Sequence, residues 1–296
     1  MTLDDLAIPR TISRKDALVD LGMTPQQFAA EFSVLRGTKH LHRSELMTAQ
    51  ERIVAVVNQA HGDPVVAGES ALIMYGSRWH DQDFTIELIR GTSGSGRPAR
   101  GTVTRRLDLP SSEIVEIRGV KVTSPIRTAF DLGRQRSRMQ AIGDLDALAA
   151  VTPLDLDELM AFAVEHKRSR YVTVLRELIP LIDGRAESPR EAALRLFMHD
   201  AGLPRPDLQV EIFDEYGMLF ARCDLAYEAA KIAIEYDGEA YHSTPEQQAS
   251  DGARDAELDR LQWEVVRVTA KRLREEPFGV IKEIWDKLHA RGFYFC

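Results

Sequence analysis

The sequence predicts a mixed protein of the α+β or α/β class, with helices and strands in both halves of the chain. The first observation is the order of elements after residue 184: a helix, three strands, a helix, a strand and a helix. The second is a series of strand-like segments before residue 124, followed by four segments with helical apolar spacing. The C-terminal order, αβββαβα, implies a small mixed sheet with helices covering its faces.

Composition and charge restrict the classes of protein that fit. Cys223 and Cys296 are too few for a disulfide framework or a cysteine zinc site. No apolar run reaches membrane-spanning length and the first residues lack a secretion-signal pattern, so we expect a cytoplasmic protein without a membrane partner. The net charge of −8 argues against a protein that coats nucleic acid, but not against an enzyme that meets DNA on one face.

Residues 1–46 are predicted to form two short helices followed by a strand. Ser13 is a suitable N-cap, and Thr24-Pro25 opens a second helix that runs to about Phe32. With the strand-like residues 39–43, this pattern is similar to the core of a winged helix-turn-helix. A plain helical hairpin fits equally well.

Residues 47–184 are predicted to form a mixed α/β region that opens with a helix from about Thr48 to Ala60. A Gly-rich segment, residues 91–101, separates the first two of four strands. We interpret it as a hairpin loop; the alternative is an arm that touches DNA through arginines. The predicted strands are Phe84–Ile89, Thr102–Leu107, Ile114–Ile117 and Val120–Thr123. The later helices are Pro125–Leu132, Met139–Ala149, Asp155–His166 and Tyr171–Ile182. The arginines of the possible arm are Arg97, Arg100, Arg105 and Arg106.

Residues 185–296 are predicted to form the C-terminal domain, which follows a linker at about residue 184. Its first helix begins at Ser188-Pro189, and short turns join three successive strands as hairpins. The strands are Asp207–Phe213, Leu219–Ala226, Lys231–Tyr236 and, later, Trp263–Val268; the later helices are about Gln248–Leu261 and Phe278–His289.

Two of these strands carry carboxylates in apolar surroundings. Asp224 and Glu235 lie in the second and third strands, and Asp237 and His242 follow directly. A buried, ionised carboxylate is costly without a partner, and carboxylates that converge from neighbouring strand ends suit a hard divalent cation. The sequence therefore predicts a metal site; paired carboxylates at a sheet edge are the alternative.

Several short motifs follow one another along the C-terminal domain. They are Ser188-Pro-Arg-Glu191, Leu203-Pro-Arg-Pro206, Gln209, Arg222-Cys-Asp224, Glu235-Tyr-Asp-Gly238, His242, Arg254-Asp255, Trp263 and Arg267. In this combination residues 187–292 resemble the PD-(D/E)XK nuclease superfamily, in its branch similar to very-short-patch repair (Vsr-like) endonucleases. Upstream, Ala67-Gly-Glu-Ser-Ala71 and Val122-Thr-Ser-Pro-Ile-Arg-Thr128 carry a weaker likeness to AbiEi-type antitoxins.

The resemblance implies a restriction-endonuclease-like sheet flanked by helices, and hydrolysis of DNA phosphodiester bonds with Mg²⁺, or with Mn²⁺ in its place. Asp224 and Glu235 would hold one or two ions, and Glu191 would add a ligand or position a metal-bound water. His242 would accept the proton of the nucleophile or donate one to the leaving oxygen. The phosphate contacts would come from Arg254 and Arg267.

Structural roles are open to several of these residues. Glu191 fits a capping box with Ser188, and Arg254 fits a helix-surface ion pair with Asp255. A lone surface histidine such as His242 often has no role.

The site departs from the superfamily pattern at Asp237, where a lysine that orients the attacking water is expected. Asp237 is either a further ligand or an orienting group, or it marks a site that binds metal poorly. Asp237-Gly238 is also an ordinary turn pair. Lys231 precedes Glu235 by four residues, so strand alternation would place both on one face and supply the missing cation.

The function predicted from the sequence is a metal-dependent DNA endonuclease with an N-terminal region for recognition or regulation, in phage defence, mobile-element biology or mismatch processing. The alternative is a DNA-binding regulator of the antitoxin type with an inactive nuclease-like domain. DNA is the expected partner in both cases; a homodimer and a toxin or phage-defence partner are further expectations.

Overall fold

The computed structural model describes residues 12–36, 38–42, 47–80, 84–92, 101–237 and 254–295. Their contacts divide into two compact units, the first within residues 1–136 and 151–180 and the second within residues 137–150 and 181–296. Across the described ranges, we find no helix with both the length and the apolar character that a membrane span requires.

The first unit begins with two capped helices and a small sheet. The elements are β1 (Ile12–Ser13), α1 (Arg14–Val19), α2 (Pro25–Glu31), β2 (Phe32–Arg36) and β3 (Lys39–His42), with strand order β1–β3–β2. Ser13 Oγ accepts from the Asp16 amide, and Thr24 and Gln27 form a capping box, so both helices begin where the sequence predicts. The two helices and the strand after them are present; the winged-helix assignment stays a prediction.

The rest of the first unit is a five-stranded mixed sheet with helices. The elements are α3 (Ala49–Asn58), β4 (Val65–Val66), α4 (Gly68–Tyr75), β5 (Ile86–Arg90), β6 (Thr102–Arg106), β7 (Ile114–Ile117), β8 (Val120–Thr123), α5 (Pro125–Gly133), α7 (Leu156–Glu165) and α8 (Val172–Leu178). The strand order is β6–β5–β4–β8–β7. β5 and β6 are parallel, so the interpretation of residues 91–101 as a hairpin loop is wrong. A tight turn can join two antiparallel strands but cannot join two parallel ones.

The Ala67–Ala71 motif has a structural role in this sheet. The Ala67 amide donates to the Glu87 carbonyl at 3.1 Å, and the Glu87 amide donates to Ser70 Oγ at 3.0 Å. A Cβ on Gly68, whose φ is +57°, would lie 2.5 Å from the Glu87 carboxylate oxygens. That carboxylate also accepts from Arg105 at 2.8 Å, so Arg105, a candidate for contact with DNA, has a partner within the protein. The motif therefore joins the start of α4 to β5.

The Val122–Thr128 motif forms a second internal joint. The hydroxyls of Thr123 and Thr128 lie 2.7 Å apart in the interior. Arg127, nearly buried, donates to Glu113 at 2.7 Å and to Asp131 at 3.0 Å. These contacts connect α5 to the β7–β8 region, so both motifs that carry the antitoxin likeness stabilise the first unit.

The second unit is a four-stranded mixed sheet with helices. The elements are α6 (Arg138–Val151), α9 (Pro189–Asp200), β9 (Asp207–Phe213), β10 (Leu219–Tyr227), β11 (Ile232–Asp237), α10 (residues 254–260), β12 (Glu264–Thr269), α11 (Ala270–Glu275) and α12 (Pro277–Ala290). The order is β12–β11–β10–β9, with the first three strands in sequence antiparallel and β12 parallel to β11. The two hairpins are confirmed, and α11 is a helix that the sequence did not predict.

Helix α6 packs with the second unit although it precedes the linker at residue 184. Asp146 on α6 and Arg195 on α9 form a fully buried ion pair at 2.6 Å. Asp146 also accepts from the Asp183 amide at 2.8 Å, and Arg195 donates to the Leu181 carbonyl at 2.5 Å. The domain boundaries proposed from the sequence stay a prediction, but these contacts tie the linker to a helix on its N-terminal side.

Gly184 allows the linker to run against α6. A Cβ at this position would lie 2.7 Å from the backbone carbon of Ala149. We expect Gly184→Ala to lower the free energy of unfolding of the second unit by about 1–3 kcal/mol, because the close approach of two backbones must open. Urea denaturation would measure the change. Gly279→Ala, where the nearest atom is at 3.5 Å, is the control, and an equal loss in both variants would contradict the packing argument.

Candidate active site

The end of the β10–β11 hairpin ladder positions the two central carboxylates. The outermost paired residues of the two strands are Leu225 and Ile234. The next residues toward the strand ends are Asp224 on β10 and Glu235 on β11. Both strands are buried along most of their length because their apolar residues pack into the interior. The chain therefore delivers one carboxylate from each strand to the same end of the sheet.

Asp224 lies in a half-buried position with other negative charges around it. Its Oδ2 atom accepts a hydrogen bond from the Tyr236 amide at 3.1 Å. Burial raises the pKa of Asp224, the amide opposes this effect, and the charges of Glu235 and Glu187 raise the pKa further. Asp224 thus lies where an added cation would be stabilised.

Glu191, in the first turn of α9, is a further acid of this region and is only 7% exposed. Ser188 Oγ accepts from the Glu191 amide at 3.1 Å, so Ser188 is the N-cap. The carboxylate does not bond back to Ser188 as the predicted capping box requires; Glu191 Oε2 accepts from the Glu187 amide at 3.0 Å. Burial raises the pKa of Glu191, and the charge of Asp224 adds to the effect. Glu191 therefore helps order the start of α9 and also lies near Asp224.

Glu235 is 8% exposed and is held by arginines. Arg254 on α10 approaches both carboxylate oxygens, at 2.5 Å to Oε1 and 3.3 Å to Oε2. Arg267 on β12 lies 3.9 Å from Glu235 and 4.0 Å from Asp237. Arg267 also pairs with Asp255, so the surface pair suggested for Arg254 and Asp255 does not form; each pairs with another residue.

Lys231 does not supply a cation to this site. β11 begins one residue later, and Lys231 has a left-handed backbone with φ of +52°. Strand alternation therefore does not apply to it. Its ammonium group donates to the Leu261 carbonyl at 3.0 Å, away from Glu235.

The structure brings Glu191, Asp224, Glu235 and Asp237 to one region, together with Arg254 and Arg267, whereas His242 and Gly238 lie outside the described residues. Gln209 was noted in the sequence without a role, and its contact with Glu191 Oε2 at 3.0 Å had no sequence signal. The Arg254–Glu235 pair was also missed, because residues 19 positions apart in the sequence share no helical or strand periodicity.

The described carboxylates suit Mg²⁺ in chemistry. Within the described ranges, no three His, Cys, Asp or Glu side chains are grouped so as to hold a metal ion. Mg²⁺, however, usually keeps several waters and needs only one or two carboxylates. Asp224 and Glu235 provide hard oxygen donors. The Arg254 guanidinium shows that Glu235 accepts a positive charge, and burial together with the charges of Glu235 and Glu187 raises the pKa of Asp224. The residues therefore fit the ion.

Two family models match separate parts of the chain. Residues 207–288 match REase_MTES_1575, a restriction endonuclease-like domain, and residues 65–181 match the AbiEi antitoxin C-terminal domain. The first match contains β9 to most of α12, including the strands that carry Asp224 and Glu235. The C-terminal domain is thus similar to restriction endonuclease-like domains, and the upstream region to an antitoxin domain.

Relatives occur in Mycobacterium tuberculosis. The uncharacterized proteins Rv2248 (strain H37Rv) and MT2308 (strain CDC 1551) are each 34% identical over 166 residues, which is 56% of this chain. The matched part spans 61% of the length of these relatives. Among solved structures, the RV2827C protein from the same organism is 11% identical, with a TM-score of 0.36, over 73% of this chain and 89% of that one.

Proposed function

We propose that the protein is a Mg²⁺-dependent DNA endonuclease, related to the Vsr-like branch, whose N-terminal region recognises DNA or regulates cleavage. The observation that carries the proposal is the pair of carboxylates, Asp224 and Glu235, which two neighbouring strands deliver to one end of the sheet. Both lie within residues 207–288, which match a restriction endonuclease-like domain, and the charge of Asp224 acts on Glu191. DNA is the proposed substrate, and a homodimer and a toxin or phage-defence partner remain proposals.

In this mechanism Asp224 and Glu235 would hold the cation, and Glu191 would orient a water near Asp224. Mg²⁺, when bound, supplies a more acidic water and stabilises negative charge on the phosphoryl oxygens. The water oxygen forms a new bond to phosphorus, one ester bond to phosphorus breaks, and the leaving oxygen takes a proton. Asp237 and His242 are the proposed groups for handling these protons, since Asp237 is the half-buried last residue of β11 and His242 follows it closely in the sequence.

Arg254 and Arg267 are proposed to balance charge as DNA enters. A phosphate would be repelled by the carboxylates Glu235 and Asp237 without cations nearby. Arg254 is partly exposed and on Glu235, and Arg267 lies within 4.0 Å of both acids. The planar guanidinium groups of Arg254 and Arg267 would be suited to contact a phosphate bound beside these acids.

Plasmid nicking tests the proposal. Wild-type protein with Mg²⁺ or Mn²⁺ is expected to convert supercoiled plasmid to the open circle, and Glu235→Gln to lose this activity because one charged ligand is gone. Glu211→Gln, an exposed site on β9, is the matched control and should cut like wild type. Circular dichroism would verify that each variant is folded. Plasmid that stays intact with either ion would contradict the proposal, whether or not calorimetry detects Mn²⁺ binding.

The second candidate is a DNA-binding regulator of the antitoxin type with an inactive nuclease-like domain. The match of residues 65–181 to an antitoxin domain favours it, as does the ion pair that Glu235 forms with Arg254 within the protein. A gel shift on fragments of the protein's own promoter, with no nicking, would support this alternative. Nicking that depends on Glu235 would exclude it.

A further inference from the structure

Gln209 has an unusual backbone in the middle of β9. Its φ is +54°, in the left-handed region that disfavours residues with a Cβ. Its neighbours Leu208 and Val210 pair with Leu225 and Cys223 on β10, so Gln209 lies opposite Asp224. A backbone outlier beside a candidate site can be retained because of the contact that it makes possible.

The side chain of Gln209 reaches the carboxylate of Glu191. Its Nε2 donates to Glu191 Oε2 at 3.0 Å, and the Glu187 amide donates to the same oxygen at 3.0 Å. In the parts of the chain that the structure describes, both donors go to Oε2 and none to Oε1. Glu191 is thus held through Oε2 by two donors, and the charge of Asp224 acts on the same carboxylate.

We propose that Gln209 is a positioning residue, whose left-handed backbone aims its amide so that Glu191 holds its second oxygen for a divalent cation or a water of that cation. The proposal rests on the nuclease function proposed above and assigns a residue of β9 to that site. Gln209 acts through Glu191 and does not itself touch the ion. A residue that fixes the orientation of a ligating group typically changes metal affinity about 10–100-fold when replaced.

The protein provides a matched control for the backbone. Gln262 is also a glutamine with a left-handed backbone, with φ of +65°, and it belongs to the same unit. Its Nε2 donates to the Asp259 carbonyl at 3.3 Å, and no carboxylate is involved. The change Gln→Asn shortens either side chain by one methylene, and asparagine accepts the left-handed region better than glutamine. The two substitutions therefore share the effect on the backbone and differ in the effect on Glu191.

The experiment compares full-length wild type, Gln209→Asn and Gln262→Asn. Both variants should keep or raise the melting midpoint of the metal-free protein. Mn²⁺ affinity, measured by calorimetry and by paramagnetic resonance, should fall about tenfold or more in Gln209→Asn and stay at the wild-type value in Gln262→Asn. Gln209→Gly, which relieves the backbone and removes the amide altogether, should weaken Mn²⁺ binding at least as much.

The outcomes separate this proposal from the nuclease proposal. Wild-type Mn²⁺ affinity in Gln209→Asn and Gln209→Gly, or an equal loss in Gln262→Asn, overturns the positioning role. Wild type that binds Mn²⁺ but leaves plasmid intact overturns the nuclease function, while the affinity ratio still decides the role of Gln209. Wild type that binds no Mn²⁺ overturns both.

Discussion

Replacing Asp224 with asparagine is expected to abolish DNA nicking and to raise the free energy of unfolding of the second unit. Nicking should fall about 100-fold or more, since even the partners of metal ligands cost 10–100-fold. Asparagine keeps an oxygen that can accept from the Tyr236 amide, so the local hydrogen bond survives. The variant loses a charge that burial, Glu235 and Glu187 all disfavour. A gain of about 0.5–2 kcal/mol is the usual size for removing such a conflict.

The pH dependence of unfolding gives this prediction a sign. Burial raises the pKa of Asp224 in the folded protein above its value in the unfolded chain. The contribution of the protonated carboxyl to the free energy of unfolding is therefore fully present at pH values below the unfolded pKa. That contribution is lost as pH rises through the folded pKa. Wild type should therefore lose stability relative to Asp224→Asn as pH rises through this interval, in urea titrations of the metal-free protein. Asp207→Asn, an exposed position on β9, is the control. A variant that is less stable than wild type at neutral pH would contradict the argument.

The largest loss of stability is expected for Asp146→Leu, at about 3–5 kcal/mol. Leucine is similar in size but leaves the Arg195 guanidinium in the interior without its carboxylate. It also removes the acceptor of the Asp183 amide. An arginine cannot release its proton to escape this cost. Urea denaturation of the full chain, followed by circular dichroism, would measure the loss.

A second ion pair between the same helices is the control. Arg138 on α6 and Asp200 on α9 lie 2.8 Å apart, but Asp200 is 40% exposed. Asp200→Leu should cost no more than about 1 kcal/mol. Arg195→Met should cost less than Asp146→Leu, because burial already raises the pKa of Asp146 to about 6 and the acid can take up a proton. Equal losses in all three variants would show that burial of the pair has no special effect.

The sequence predicts best what depends on local patterns. Apolar runs and short turns were enough for β9 to β11 and their hairpins, and two acids within buried strands were enough to select Asp224 and Glu235. Contacts set by tertiary packing were not predictable. Arg254 reaches Glu235 from a different element of the fold. The left-handed backbone at Gln209 occurs in a residue type that gives no sequence signal for it.

The topology errors have a similar origin. The segment at residues 91–101 is rich in glycine, which indicates a turn but not whether the next strand runs parallel or antiparallel. Register and direction are decided by which strand is the neighbour, and β6 pairs with β5 in parallel. The prediction that Lys231 faces the same side as Glu235 failed for a related reason. Strand alternation applies only to residues within a strand, and β11 begins at Ile232.

The position of α6 has a consequence for how the protein is made. Its buried residues, among them Ile142, Leu145 and Leu148, leave the ribosome before any strand of the sheet that belongs to its unit. Residues 151–180, which complete the first unit, are synthesised in between. The buried residues of α6 therefore stay exposed until the rest of their unit, including Arg195, the partner of Asp146, has been synthesised. Nascent chains with exposed apolar surface are prone to aggregate. A gene fragment that starts at residue 185 lacks α6 and therefore the carboxylate of Asp146. The resulting polypeptide would bury the Arg195 guanidinium without its partner.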